Sequence, residues 1–491
     1  GLQDSWCQVR LAATQATGAF LGVLFPPSVK DAVWPLVLPR LCLNRHYSTD
    51  SVRTAAHQAW ARGVGHRGRE LLAIHSTTTV EHYICMTRHK NHMVCEAACA
   101  AMAEIATRVD PEAVNPQLPV MLASLRDSLA DASWPVRDST CTAIGRFLRG
   151  TWTRLPISES VFPLVLSAPS AIDIVHGRGP RPEETQDESV AVSALITDVL
   201  NMLFSYLLRE PFRPVRDSAA VGIVDSLLRP PPLPNISIST DAIQSGERLQ
   251  QEVWGRLETY LDSHILTATG NSVPIAPGTL TGKGKLNKNF RFIPDAMVAQ
   301  MMGQAPKSRV RRPRARKGGG WGCCLDCAAG EDKEPSPCEV SDSCLLLLRE
   351  IGVALAGETG ELSSADCERA TAVVRKHIEN VWKLLTVTGF SDSHRLHTSV
   401  YQQLPVLLRY LSEDDRKTTL CNHVNVLQRD LSMSSEECFR QETRANAGKK
   451  SLSSVNIFSP LKTAAVTEST DKIAELVGRD FFDSLCKTYS T

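Results

Sequence analysis

The sequence predicts an all-α protein whose first half is a stack of antiparallel helix pairs. Three observations carry that expectation. One short phrase recurs at a nearly constant interval. Apolar residues on either side of it fall three and four apart, the period of a helix with one buried stripe. The composition, 43% hydrophobic with 6% aromatic and 22% charged residues, suits helices rich in Ala, Leu and Val better than a β-sandwich.

The phrase is Val9-Arg10-Leu11-Ala12-Ala13, Val52-Arg53-Thr54-Ala55-Ala56, Val94-Cys95-Glu96-Ala97-Ala98, Val136-Arg137-Asp138-Ser139-Thr140 and Val215-Arg216-Asp217-Ser218-Ala219. Its first four copies are 43, 42 and 42 residues apart and the last follows after 79, close to two periods. A period near 42 is that of two-helix repeat stacks. The copy around Val136 reads most fully. Leu118, Met121, Leu122, Leu125 and Leu129 form one apolar face, Asp131-Ala132-Ser133-Trp134-Pro135 supplies a turn with a helix-starting Pro, and Val136, Cys141, Ile144 and Phe147 line a second helix. Thr140, Ala143 and Gly145 are small and let a neighbouring helix come close. Neither helix buries its stripe alone, so stacking several pairs is what produces a core.

These features resemble the HEAT-repeat family: Pro119 opens the first helix, Asp131 sits in the turn, and Val136-Arg137 begins the second helix. The resemblance covers about residues 1–229. It implies a HEAT-type solenoid in which turn Asp and second-helix Arg form a polar ladder between repeats. The ladder residues would be Asp4 with Arg10, Asp50 with Arg53, Asp131 with Arg137, and Arg216. Asp50 stands closer to Arg53 than Asp131 does to Arg137, and Cys95 replaces the usual Arg in the third copy.

After the array the composition changes. Arg178 to Glu184 reads as a charged surface loop between copies, and Arg229 to Pro234 as a helix-breaking boundary. Residues 230–342 are expected to be a largely disordered Pro/Gly-rich basic linker with one helix near 241–265. Between Lys283 and Lys317 there are eleven basic residues against Asp295 alone, a local net of +10, while the whole chain is +1. Residues 343–491 regain helical patterns (Leu345 to Ala356, Cys367 to Leu385, Leu404 to Leu411, Ile473 to Tyr489), a second helical block that could be degenerate repeats.

No Gly-x-Ser-x-Gly elbow, His-Glu-x-x-His helix or kinase motif set occurs. The Gly278 to Lys285 stretch has one residue too few for a phosphate-binding loop and Gly284 where a magnesium-binding hydroxyl would stand. Cys324, Cys327, Cys338 and Cys344, with Cys323 beside them, offer zinc thiolates, but the second pair is spaced too widely; lipidation at Cys323 and Cys324 or unpaired thiols are the alternatives. Cys85, His89, His92 and Cys95 straddle a turn and need not converge. Most of the fifteen cysteines sit singly in apolar contexts, as Cys95, Cys99 and Cys141 do, which points to a reducing compartment, where Asn235-Ile236-Ser237 carries no glycan. No run of eighteen uncharged apolar residues occurs and Gly1 to Arg10 lacks the order of a signal peptide. The sequence opens without Met inside a repeat motif, as a fragment would.

The functional expectation is a non-enzymatic scaffold, with other proteins as partners, no cofactor, no membrane and no small-molecule substrate. A cytoplasmic location is expected, the cytoskeleton, cilium or nucleus being narrower options. Candidate contact residues are the turn side chains Trp6, Trp134, Phe212 and Arg213, and the basic run Lys307, Arg309, Arg311, Arg312, Arg314, Arg316 and Lys317. Turn aromatics followed by a basic linker also resemble tubulin- or microtubule-associated HEAT proteins, although such aromatics commonly pack over their own helix pair. The basic run would equally suit nucleic acid or a nuclear import signal.

Overall fold

The computed structural model describes residues 1–23, 27–156, 188–228, 240–271, 335–357, 361–387, 392–446 and 459–489. Among them every regular element is an α-helix or a single 3-10 turn. Helix α1 (Cys7–Gly22) is followed by the pairs α2 (Pro27–Asn44) with α3 (Asp50–Gly63), and α5 (Ser76–Thr87) with α6 (His92–Arg108). Next come α8 (Leu118–Leu129) with α9 (Trp134–Thr151), and α10 (Glu188–Arg209) with α11 (Arg213–Asp225). Short helices α4 (Gly68–Ile74) and α7 (Pro111–Val114) lead into the pairs α5–α6 and α8–α9.

The recurring Val is the third residue of its helix in all five copies, α1, α3, α6, α9 and α11. Val52, Val94, Val136 and Val215 are buried, and Val9 is exposed on the first helix of the stack. The sequence phrase therefore marks the start of each second helix, as expected. These second helices lie against one another, α1 on α3, α6 on α9 and α9 on α11, while the first helices α2, α5, α8 and α10 form a parallel layer. The α9–α11 contact is backbone against backbone. A methyl added at Gly145 would lie 2.6 Å from the Gly222 carbonyl oxygen, and one at Gly222 would lie 2.4 Å from the Cys141 carbonyl oxygen. The buried α10 face, with Val192, Ile196, Val199, Leu200, Leu203 and Leu207, faces this same core. Its stretch Ser189–Arg209 is long and apolar enough to cross a membrane by length and composition, and here it packs on α8, α11 and a later helix.

The stack does not stop at residue 229. Helix α12 (Thr240–His264) stands where the sequence placed a helix inside the linker, and it belongs to the packed array. It is followed by α13 (Pro337–Leu355), α14 (Ser364–Lys383), α15 (Asp392–Leu408), α16 (Glu413–Asn446), α17 (Ser459–Val477) and α18 (Arg479–Tyr489). Helix α13 packs on α11, α15 on α13 and α17 on α15, so the row of second helices continues. The first-helix layer continues through side-chain bonds: Trp254 Nε1 donates to Asp366 at 2.7 Å, Lys376 pairs with Asp262 at 2.7 Å, and Glu379 meets His423 at 2.7 Å. The His423 ring stacks on Trp382 at 5.1 Å.

Three local expectations change. The helical stretch Ile473 to Tyr489 is two helices, broken at Gly478, whose φ of 90° only glycine adopts easily. Leu404 to Leu411 is the end of the longer α15, which stops at Leu408, and the turn after it. Helix α16, 34 residues long, had no counterpart in the sequence reading because its polar composition hides its stripe. Arg178 to Glu184, Gly278 to Lys285 and the basic run 283–317 lie outside the described residues.

Two substitutions test the second-helix seam. Val136, 1% exposed, changed to Asp would bury an unpaired carboxylate and should destabilise by roughly 3 kcal/mol or more. Gly222→Ala should lower the unfolding temperature although it removes no contact, because the backbones of α9 and α11 must separate. Thermal denaturation followed by circular dichroism reads both, and unchanged midpoints would contradict the packing.

Candidate partner-binding surface

Each second helix is tied to the turn before it by one repeated hydrogen bond. The residue after the recurring Val donates to the backbone carbonyl six residues earlier. Arg10 Nε reaches Asp4 O at 3.0 Å, Arg53 Nη1 reaches Tyr47 O at 3.4 Å, Arg137 Nη1 reaches Asp131 O at 2.8 Å, and Arg216 Nη1 reaches Glu210 O at 2.7 Å. In the third copy the Cys95 thiol makes the equivalent bond to His89 O at 3.0 Å. Cys95 therefore replaces Arg without losing the clamp. Turn carbonyls beyond a helix end have no intrahelical donor, and this side chain supplies one.

The expected ladder changes accordingly. The carboxylates of Asp4 and Asp131 accept from the backbone N–H groups of Trp6 at 2.9 Å and Ser133 at 2.7 Å, so they shape their turns and leave the Arg alone. Asp50 is the first residue of α3 and pairs with Arg53 on the surface. The bond between repeats runs from Arg137 to Glu210, bidentate at 2.8 and 3.1 Å, and both side chains are largely buried. Glu210 stands six residues before Arg216, the same place that Asp131 holds before Arg137. Sequence reading missed it because Glu replaces Asp there. Arg10 reaches the next repeat differently, with its guanidinium 4.4 Å over the Tyr47 ring and Nη1 2.7 Å from Asn44 Oδ1. Burial lowers the pKa of Arg10 and Arg216, the latter 0% exposed and 3.6 Å from Glu339.

The four turn candidates are not equivalent. Trp6 is 70% exposed. Trp134 and Phe212, by contrast, are half-buried and stack on each other at 5.7 Å with ring planes 19° apart, joining two successive turns. Arg213 pairs with Asp342 of α13 at 2.7 Å, and Ser399 of α15 donates to that carboxylate at 2.6 Å. Trp134, Phe212 and Arg213 thus hold repeats together, because a flat ring or a long guanidinium bridges adjacent turns. Lys307, Arg309, Arg311, Arg312, Arg314, Arg316 and Lys317 lie outside the described residues, as do Cys323, Cys324 and Cys327.

Cys338 and Cys344 lie on α13, six residues and therefore about 240° apart around the helix. Cys344 is fully buried in the apolar core, and burial pushes its thiol well above the ordinary range. Cys85, His89, His92 and Cys95 do not converge: His92 Nδ1 meets Glu96 at 2.6 Å, and His89 Nδ1 accepts from Asn91 N at 3.0 Å. Among the described residues no group of three or more His, Cys, Asp or Glu side chains is placed to hold a metal ion.

What remains is the polar side of the second-helix row. His57, Gln58 and Arg146 are exposed on it, and Ser218 donates to Asp138 at 2.7 Å while Arg349 pairs with Asp217 across neighbouring helices. Such a row presents an extended face assembled from many repeats.

Helix pairing, the phrase at each second-helix start and the ladder between turns define a HEAT-type α-solenoid. No family model matches the chain, and no curated protein does. Among solved structures, importin beta crystallised in ammonium sulfate aligns with 98% of this chain and 53% of its own at 11% identity, with a TM-score of 0.33. Kap121p bound to the extreme C-terminus of the protein phosphatase Cdc14p aligns with 100% of this chain and 46% of its own at 11% identity and 0.26. An engineered protein aligns over 98% and 92% at 13% identity and 0.23. The chain spans about half the length of the two transport receptors. At these scores the assignment rests on the chain's own helix packing.

The ladder predicts unequal costs for two acids at equivalent positions. Glu210→Ala should destabilise by about 3–5 kcal/mol, since it strands Arg137 in a buried site. Asp131→Ala should cost only about 1 kcal/mol, the value of one local hydrogen bond. Urea denaturation distinguishes them, and equal losses would contradict the assigned roles.

Proposed function

We propose that this chain is a non-enzymatic protein-interaction scaffold that offers its row of second helices to partner proteins. One observation carries this: among the described residues helix packs on helix from α1 to α18, with α3 and α6 joined through α2, so side chains far apart in sequence share one extended face. A stack of this kind is suited to gripping long surfaces. Partners held in this way form a larger assembly with the chain.

The basic segment favours one refinement, an acidic partner surface. A local net of +10 in a chain of +1 leaves the rest of the chain net negative, so the excess positive charge lies wholly between Lys283 and Lys317. An acidic protein tail, a tubulin surface or a phosphate backbone would each answer it. The tubulin version gains less from the turn aromatics than from this charge, since Trp134 and Phe212 are occupied with each other.

Affinity purification of the full chain, followed by identification of co-purifying proteins, tests the scaffold. A reproducible set of partners is expected; a chain that purifies alone under gentle conditions would contradict it. Replacing Arg309, Arg311, Arg312, Arg314 and Arg316 with Gln should weaken capture of an acidic partner and leave helicity unchanged. With duplex nucleic acid as partner, the log–log salt slope should be near −0.9 per phosphate neutralised. Equal capture by this variant across a salt titration would rule out the electrostatic contact.

A further inference from the structure

A cleft of about 380 Å³ opens where the pair α2–α3 meets the pair α5–α6. The second helices are in close contact at α1–α3 and at α6–α9, but α3 and α6 stand apart, and first-helix α2 touches α6 instead. The chain leaving α3 turns sharply at Gly65, with φ of 57°, and α4 folds into the seam. Gly68 allows that approach: a methyl there would lie 2.6 Å from the Trp60 ring.

The cleft walls carry Arg45, His66, Arg69 and Arg108, and the only acid among its lining residues is Glu104. Both Glu104 oxygens are taken, Oε1 by Arg45 at 3.1 Å and Oε2 by His46 at 2.7 Å. Burial would raise the Glu104 carboxyl, yet these two partners hold it down at about 2, so it is a fixed anion already neutralised from within. Arg69 and Arg108 are exposed and, among the described residues, have no carboxylate within ion-pair distance. The Arg45 guanidinium lies 4.4 Å over the Trp60 ring, and its buried Nε has no hydrogen-bond partner. Two exposed guanidinium groups with no carboxylate at ion-pair distance, beside an acid already neutralised from within, leave the cleft short of an anionic acceptor. Trp60, Leu72 and Val109 add an apolar wall to the same space.

We propose that this cleft binds a carboxylate side chain of an acidic peptide segment in a partner protein, with a neighbouring apolar side chain against Trp60. The volume suits one or two side chains and not a duplex, and guanidinium forks match a carboxylate in two-point geometry. The proposal rests on the scaffold function above and names a recognition element within it.

The test uses the full chain and a fluorescein-labelled peptide of alternating Glu and Leu, read by fluorescence anisotropy. Arg69→Gln with Arg108→Gln should weaken binding roughly tenfold or more. Lys90→Gln with Arg395→Gln removes two exposed charges elsewhere and should leave affinity within about twofold. Circular dichroism of both pairs should match the parent, as all four residues are exposed. Equal weakening by both pairs, no effect of the first pair, or no binding by the parent up to roughly millimolar peptide would each overturn the proposal. Competition by inorganic phosphate as effective as by unlabelled peptide would also overturn it, since the site would then serve free anions; tighter binding of the phosphoserine version would assign the source to a phosphorylated segment in place of Glu. Partner capture that survives the Arg69 and Arg108 changes would leave the scaffold standing while the cleft fails.

Discussion

The hydrogen bond from the residue after each recurring Val to the carbonyl six positions earlier is the constraint on which the rest of this solenoid depends. It fixes where the second helix starts relative to the end of the first. Because the donor is buried in Arg10, Cys95 and Arg216, the bond forms away from competing water. An unmet carbonyl at these sites would cost as much as a lost hydrogen bond at every turn. Once each turn is fixed, the third residue of each second helix, Val, points into the seam in every pair from α3 to α11.

Fixed turns let one repeat read the next. Arg137 uses one nitrogen on its own turn carbonyl and two on the carboxylate of Glu210, so a single guanidinium closes a turn and a seam together. Trp134 on Phe212 repeats the connection with rings, and Arg213 on Asp342 carries it into α13. Beyond α13 the means change to first-helix contacts such as Trp254 with Asp366 and Glu379 with His423. Stability in such a stack is a sum over neighbours, and no one pair holds a core of its own.

The first five second helices were legible because their signal is a repeated phrase whose every position has a packing reason: Val for the seam, Arg for the carbonyl, small residues such as Gly145 for close approach. The all-α class was legible from the repeated phrase, the apolar period and the composition together, and the helix near 241–265 was placed as well. The ladder was half legible. Its Arg residues were found, but the inter-repeat acid Glu210 was not, since Glu stands there where the turns before Arg10 and Arg137 have Asp4 and Asp131. The turn aromatics showed their position and not their partner, because stacking of Trp134 on Phe212 is a contact across 78 residues of sequence. Helical patterns were legible across residues 343–491, but they did not decide whether the stack continues, because those helices lack the Val-Arg phrase and are joined by scattered polar pairs. The cleft near Trp60 arises from a packing gap between α3 and α6, and a gap has no residue pattern.

Hydrogen exchange followed by mass spectrometry on an Arg216→Leu chain measures the clamp and the neighbour-only stacking in one experiment. Faster exchange is expected in α10, α11 and α13, falling off through α9 and α15, with α1 to α3 unchanged. Unaltered protection around Arg216, or an equal loss from α1 to α18, would contradict a stack held pair by pair through that bond.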